Sequence, residues 1–254
     1  MRGVILAAGR GSRLKTTAGD KPKCLVRLGG LTLLERQIQA LRRAGIDDIV
    51  VVVGCQAERV RRSSGAGVRY VENSRFAETN SLYSLWTARR LLYSGFVVLN
   101  CDVLFHPALL DELLATHHDA ALLIDDRRRN LPGAVPLGDE EMKIKVRDGL
   151  VVDMSKTLPP EDADGENLGI VKFGPASAPA LVGILDRIVD AGGLRDWAPR
   201  AFREFAECHP LHALSAGDRP WIEIDFPEDY RRAVQVVLPA IVDGDRADRA
   251  EDVA

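Results

Sequence analysis

An apolar run, Val4 to Leu6, breaks directly into Ala7-Ala8-Gly9-Arg10-Gly11-Ser12-Arg13, and this junction restricts what the chain can become. The run reads as a buried strand. Small residues after it let a ligand come close to the backbone, and Gly9 and Gly11 permit turns that a Cβ would forbid. Successive backbone N–H groups in such a turn cradle an anion, while Arg13 and Lys23 add fixed positive charge. The chemistry suits a polyphosphate. Two common phosphate motifs are excluded by inspection. A dinucleotide fingerprint needs a third small residue where Leu14 stands, and neither Gly9 nor Gly11 is followed by the Lys of a Walker loop.

The rest of the chain alternates. Leu31 to Ala44 has helical spacing, opened by a Thr32–Glu35 capping box and stopped by Gly45. Ile49 to Val53 is β-branched throughout, as in a strand covered on both faces. A short helix over Gln56 to Arg62 precedes a strand at Val68 to Val71. Then come a helix from Asn80 to Leu92, a strand from Phe96 to Asn100, a helix from Pro107 to Ala115 and a strand from Ala120 to Ile124. This rhythm predicts an α/β fold with a doubly wound, mixed and mostly parallel sheet. From Arg127 the pattern changes. Met142 to Val146 and Leu150 to Met154 flank an Asp148-Gly149 turn and predict a hairpin. A strand at Leu168 to Phe173, helices over Ala176 to Asp190 and Trp197 to Glu207, a strand at Trp221 to Ile224 and a helix from Pro227 follow. We therefore expect one domain over residues 1–240, with a nucleotide-binding half at 1–126 and a small antiparallel acceptor lobe within 127–240. The charged stretch 241–254 reads as a disordered tail.

At 254 residues the chain can bury such a core. A formal charge of −3 gives no electrostatic case for a nucleic-acid or membrane partner. No apolar stretch is long enough to span a bilayer, and no signal-like segment opens the chain, so a cytoplasmic location is expected. Cys24, Cys55, Cys101 and Cys208 lack paired metal spacing and read as reduced thiols.

Ligands of open α/β sheets bind beyond the carboxyl ends of the strands. Asp102 and Asp225 both fall at such ends, and as hard oxygen donors they suit Mg²⁺. Each could instead be a helix N-cap. Glu223 is a spare carboxylate on the last strand. Asn80 could cap its helix or pair with a base edge.

The combination of Leu6-Ala7-Ala8-Gly9, Gly11, Arg13 and Pro22-Lys23 resembles the signature of nucleotidyltransferases, including the sugar-phosphate and MobA-like NTP transferases. The Asn80-Ser81 helix start followed by Tyr83-Ser84-Leu85, together with Glu223-Ile224-Asp225, is similar to the phosphocholine and phosphonate cytidylyltransferase branch. That resemblance implies a Rossmann-like, GT-A-like sheet and an activity: Mg²⁺-dependent transfer of CMP from CTP to a phosphate or phosphonate monoester, such as phosphocholine or 2-aminoethylphosphonate, releasing pyrophosphate. It implies Asp102 and Asp225 as the metal positions and a base-reading residue at Asn80. Arg13, Lys23 and Asp102 become the candidate catalytic residues. Leu6, Ala7, Ala8, Gly9, Gly11, Ser12, Arg13, Gln56, Asn80 and Ser81 become the candidate nucleotide-binding set.

An acceptor oxygen that is already anionic can attack the α-phosphorus in line, so catalysis rests on positioning and charge neutralisation. For the acceptor, Lys156 and Glu166 are favoured, with Glu141 and Trp221 as groups a cationic acceptor would want. Arg127, Arg128, Arg129, Lys143, Lys145 and Lys172 read as solvated charges. None of the five histidines falls in a phosphate-binding stretch. Alternatives are a sugar-1-phosphate or inositol-phosphate nucleotidyltransferase, or a non-catalytic nucleotide-binding regulator. The chain is expected as a monomer or homodimer.

Overall fold

The computed structural model describes residues 1–14, 21–127 and 137–251. The chain opens with β1 (Arg2–Ala7), a 3₁₀ turn at Ser12–Leu14 and a second at Lys23–Leu25, then the small hairpin β2 (Arg27–Leu28) and β3 (Leu31–Thr32). Helix α1 (Leu33–Arg43) follows, closed by the expected capping box: Thr32 Oγ1 accepts from Glu35 N, and Glu35 Oε2 accepts from Thr32 N. Next come β4 (Ile49–Val53), α2 (Ala57–Ser63), β5 (Val68–Glu72), α3 (Ser81–Thr87), β6 (Phe96–Asn100), β7 (Val103–Phe105), α4 (Pro107–Ala115) and β8 (Ala120–Asp125). The second half contributes β9 (Lys143–Arg147), β10 (Leu150–Ser155), β11 (Gly165–Phe173), α5 (Ala178–Asp190), α6 (Ala198–Ala206), β12 (His212–Ser215) and β13 (Trp221–Glu223). Helix α7 (Pro227–Arg232) runs through a π-helical segment, Ala233–Val237, into α8 (Leu238–Glu251).

Among the described residues these strands build one sheet in the order β5-β4-β1-β6-β11-β8-β12-β10-β9. Strands β5, β4, β1 and β6 are mutually parallel, which bears out the doubly wound reading of the first half. Alternate residues of β1 feed opposite faces. Val4 and Leu6 pack with α3, α5 and α6, whereas Ile5 and Ala7 pack with α1 and α4. This two-faced burial explains the unbroken apolar run of β4, every residue of which is buried.

The antiparallel second half expected beside the site is built onto the main sheet: strand β11 inserts antiparallel between β6 and β8, and the hairpin β9–β10 extends the sheet. Sequence periodicity cannot report that insertion, because it depends on which distant strand offers a free edge. One expectation is corrected: the chain is not a tail from residue 241. Helix α8 continues to Glu251, Ile241 is buried with Leu33 and Leu104, and Asp245 pairs with Arg43. Residues 252–254 of that expected tail lie outside the described set.

Candidate active site

A cavity of about 330 Å³ opens at the carboxyl ends of β1 and β6, where Leu6 and Asn100 stand side by side in the parallel register. Leu6, Ala8, Gly9, Gly11 and Arg13 line one wall. The tightness of the glycine loop has a steric cause. Gly11 has φ +62, and a Cβ there would sit 2.9 Å from the Lys23 side chain. A Cβ on Gly54 would likewise meet Ala8 O at 2.8 Å, where Cys55 N donates to that same carbonyl.

Lys23 sits at the centre of the charge arrangement. Its Nζ is 3.2 Å from Asp102 Oδ2 and also hydrogen-bonds Asp225. Burial works to lower the Lys23 pKa, but the two carboxylates outweigh it and hold the ammonium charged well above the usual lysine range. Asp102 lies in the turn between β6 and β7, and Asp225 lies just after β13. Since β7 and β13 pair antiparallel and Ile224 N donates to Asp102 O, the fold itself brings the two acids together. Neither is a helix cap: α7 is capped at Phe226, with Asp229 receiving the Asp225 and Phe226 N–H groups.

Glu223, a bystander by sequence, belongs to this cluster. Oxygens of Asp102, Glu223 and Asp225 lie within 4.8 Å of one another. Burial first, then the charges of Asp102 and Asp225, push the Glu223 carboxyl up to about 8. Three carboxyl groups this close present converging oxygen donors, and their chemistry fits a hard divalent cation.

Arg13 reaches across the cavity, 3.2 Å from Asp225 and 3.0 Å from Glu140, its guanidinium over the Phe226 ring. Asn80 caps its helix, its side chain accepting from Ser81 N at the start of α3, and it lines the cavity beside Thr79, Ser81 and Ser84. Ala198 N donates to Ser81 Oγ, which fastens the Trp197 loop to this helix start.

The far wall comes from the second half. A register shift in β11 between Asn167 and Val171 lets Gly165 and Glu166 pair with β9 while residues 170–173 stay on β6. That bend brings Glu140, Met142, Lys156 and Asn167 to the cavity, where Trp197 lies beside Lys156. Lys156 Nζ is 5.1 Å from the Trp197 ring centre and 3.5 Å from Glu140.

Of the residues singled out by sequence, Leu6, Ala8, Gly9, Gly11, Arg13, Lys23, Asn80, Ser81, Asp102, Lys156 and Asp225 line this cavity. Others do not. Ala7 faces the core, and Gln56 caps α2 with its side chain on Arg59. Trp221 donates Nε1 to Asp125, pairs with Phe105 of β7 and packs against the core. Glu166 is buried in the β9 ladder, one residue from the cavity-lining Asn167, because strand alternation sends neighbours to opposite faces. Glu141 is likewise displaced by Glu140. The Ser12 side chain, Arg128 and Arg129 lie outside the described residues. Sequence missed Trp197 and Glu140, which sit in irregular segments where no periodicity marks a facing direction. Lys143, read as solvated, is buried and donates to the carbonyls of Gly138 and Lys156, so it braces the wall.

Residues 3–224 match the family described as the MobA-like NTP transferase domain. Among curated relatives, the chain is 34% identical over 241 residues to a bifunctional IPC transferase and DIPP synthase of Rubrobacter xylanophilus, covering 92% of this chain and 51% of that protein. It is 32% identical to a CMP-5'-(3-aminopropyl)phosphonate synthase of Streptomyces rubellomurinus, covering 92% and 38%. Identity is 29% to a choline-phosphate cytidylyltransferase of Streptococcus pneumoniae, covering 93% and 98%. The chain thus spans about half or less of the first two relatives. Solved structures similar in fold include the CTP:phosphocholine cytidylyltransferase from Streptococcus pneumoniae, with TM-score 0.74, 22% identity and coverage of 92% and 98%. The inositol-1-phosphate CTP transferase from T. maritima gives TM-score 0.76, 19% identity and coverage of 94% and 95%. At these identities the structural likeness is one of fold.

Proposed function

The chain belongs to the MobA-like NTP transferase domain family, and on that premise we propose that it transfers CMP from CTP to a small phosphate or phosphonate monoester, releasing pyrophosphate. The observation that carries this reading is Lys23, held between Asp102 and Asp225 at the foot of a cavity whose rim is the glycine loop. A regulator that only binds nucleotide has no use for a partly buried lysine between two acids.

An anionic acceptor oxygen forms a bond to the α-phosphorus while the bond to the departing pyrophosphate breaks, and no protein nucleophile is needed. The Gly9–Gly11 amides and Arg13 hold the triphosphate end and take up the charge of the leaving pyrophosphate. Lys23 neutralises charge that builds on the α-phosphate. Asp102, Glu223 and Asp225 would hold Mg²⁺, which when bound supplies Lewis-acid charge neutralisation at the triphosphate. Asn80, Thr79 and Ser81 face the space left for the base.

For the acceptor, the Trp197 face and the Glu140 carboxylate favour a cationic head group such as choline or an aminoalkyl chain, with Lys156 on the phosphorus end. The relatives named for choline phosphate and aminopropylphosphonate support this. The amides of Asn100 and Asn167 in the same wall favour a second reading, an inositol phosphate, whose hydroxyls they would bond. Pyrophosphate release with Mg²⁺, screened over four nucleoside triphosphates against phosphocholine, 2-aminoethylphosphonate, inositol-1-phosphate and glucose-1-phosphate, tests both. Turnover with CTP and a cationic acceptor is expected. Turnover with only a sugar or inositol phosphate selects the second reading, and none with any pair overturns both.

A further inference from the structure

A second cavity, of about 440 Å³, lies beside the first without sharing a lining residue: Asp102 lines one and Val103 the other. Its walls come from α1, β7 and the start of α8. Phe105, Ile241 and Val242 give it apolar walls, and Arg36, Gln37, Gln39 and the ion pair of Arg43 with Asp245 give it polar ones.

Arg36 and Gln37 are incompletely satisfied. Arg36 donates through Nη2 to Leu28 O at 2.5 Å, but its Nε is buried with no partner. Among the described residues no carboxylate lies within ion-pairing distance of it, and burial lowers its pKa with no charge opposing. A partly buried guanidinium without a counter-charge attracts an anion. Gln37 is 1% exposed, and its Oε1 is also without a partner. Its Nε2 donates to Asn100 O at 2.8 Å and Val103 O at 2.9 Å, the two ends of the turn that carries Asp102. A ligand donor that met Oε1 would therefore touch the same side chain that clamps the Asp102 turn.

We propose that this cavity is an effector site for a small amphipathic anion, a carboxylate, sulfonate or phosphate on an apolar body that also carries an N–H or O–H donor, held by Arg36 and coupled to Asp102 through donation to Gln37 Oε1. The proposal stands apart from the choice of nucleotide and acceptor, since it concerns neither.

The probe is 1-anilinonaphthalene-8-sulfonate, titrated by fluorescence into the full chain. Saturable one-to-one binding is expected. Arg36→Met should weaken it at least tenfold by removing the cation, and Ala40→Phe should abolish it by filling the cavity, with melting transitions confirming that both variants fold. Trp197→Ala, altered in the first cavity, should bind the probe as the wild type does. Hydrogen–deuterium exchange of the backbone over residues 98–105 should slow when the probe saturates the wild type and stay unchanged in Arg36→Met. Absence of saturable binding, binding indifferent to Arg36→Met and Ala40→Phe, or loss in Trp197→Ala overturns the site. Unaltered exchange in the saturated wild type overturns the coupling. None of these readouts depends on turnover, so failure of the cytidylyltransferase reading would be seen separately.

Discussion

Lys23 is the residue on which most of the site's electrostatics converge, and its removal separates role from fold. Lys23→Ala should lower kcat by about 10²–10³, the range for loss of one preorganised charge-stabilising group, with KM for the acceptor changed far less. A kcat within a few-fold of wild type in a folded variant would remove Lys23 from the proposed chemistry. Trp197 carries a different expectation. If a quaternary or primary ammonium stacks there, Trp197→Ala should raise KM for that acceptor about 2- to 30-fold, the equivalent of roughly 0.5–2 kcal/mol of cation–π attraction. An unchanged KM for phosphocholine would point away from the ring. These residues differ in how they could be read. Arg13, Asp102 and Asp225 each follow a strand end or a glycine turn, so local sequence already placed them near a ligand, whereas Lys23 is marked only by the Pro22-Lys23 step of the resembled signature. Trp197 and Glu140 carry no such marker, and only the contacts of their loops turn them inward.

At the level of elements, the site depends on how strand ends are tied. Asp125, at the end of β8, accepts from Arg127 and from Trp221 Nε1, linking β8 to β13, the strand that leads to Asp225. Burial alone would raise the Asp125 pKa, but the Arg127 side chain and backbone N–H outweigh it and hold the carboxyl below its ordinary range. With a depressed folded pKa, the stability Asp125 supplies is fully present above its unfolded value of about 3.9 and is lost as pH falls through the folded value. Asp125→Ala should cost about 1.5–3 kcal/mol at neutral pH by denaturant melts, for charge-assisted hydrogen bonds removed from a nearly buried site. The gap to wild type should narrow as pH falls below the unfolded value of about 3.9 and through the lower folded one, where Asp125 gains its proton. A gap constant with pH would assign the loss to packing. Helices with strong local signals, such as α1 with its capping box, were legible to within two residues. Strand β12 and the short β7 were not, because neither is long enough to show a period.

Across the whole molecule, the C-terminal helix closes a third core cluster formed by Leu14, Val26, Leu33, Leu104 and Ile241, behind the glycine loop and β7. Ile241→Ala should destabilise by about 2–5 kcal/mol, as for a buried aliphatic side chain removed from a packed core. A melting temperature unchanged from wild type would mean that the helix is not packed as described. Among the described residues no helix is long and apolar enough to cross a membrane.

The parallel half of the sheet, the glycine loop after β1, the two acids at strand ends and the family those features resemble were all legible in the order of residues. Each of these rests on short-range rules: turn stereochemistry, β-branched runs, caps and breaks in period. Tertiary structure alone decided that β11 inserts antiparallel and bends at Asn167, which aims Glu140, Lys156 and Asn167 at the cavity. It alone made Glu223 a member of the acidic cluster and Gln37 a clamp on the Asp102 turn. Those outcomes depend on edges and carbonyls supplied by residues tens of positions away, and no local pattern encodes which partner will be met.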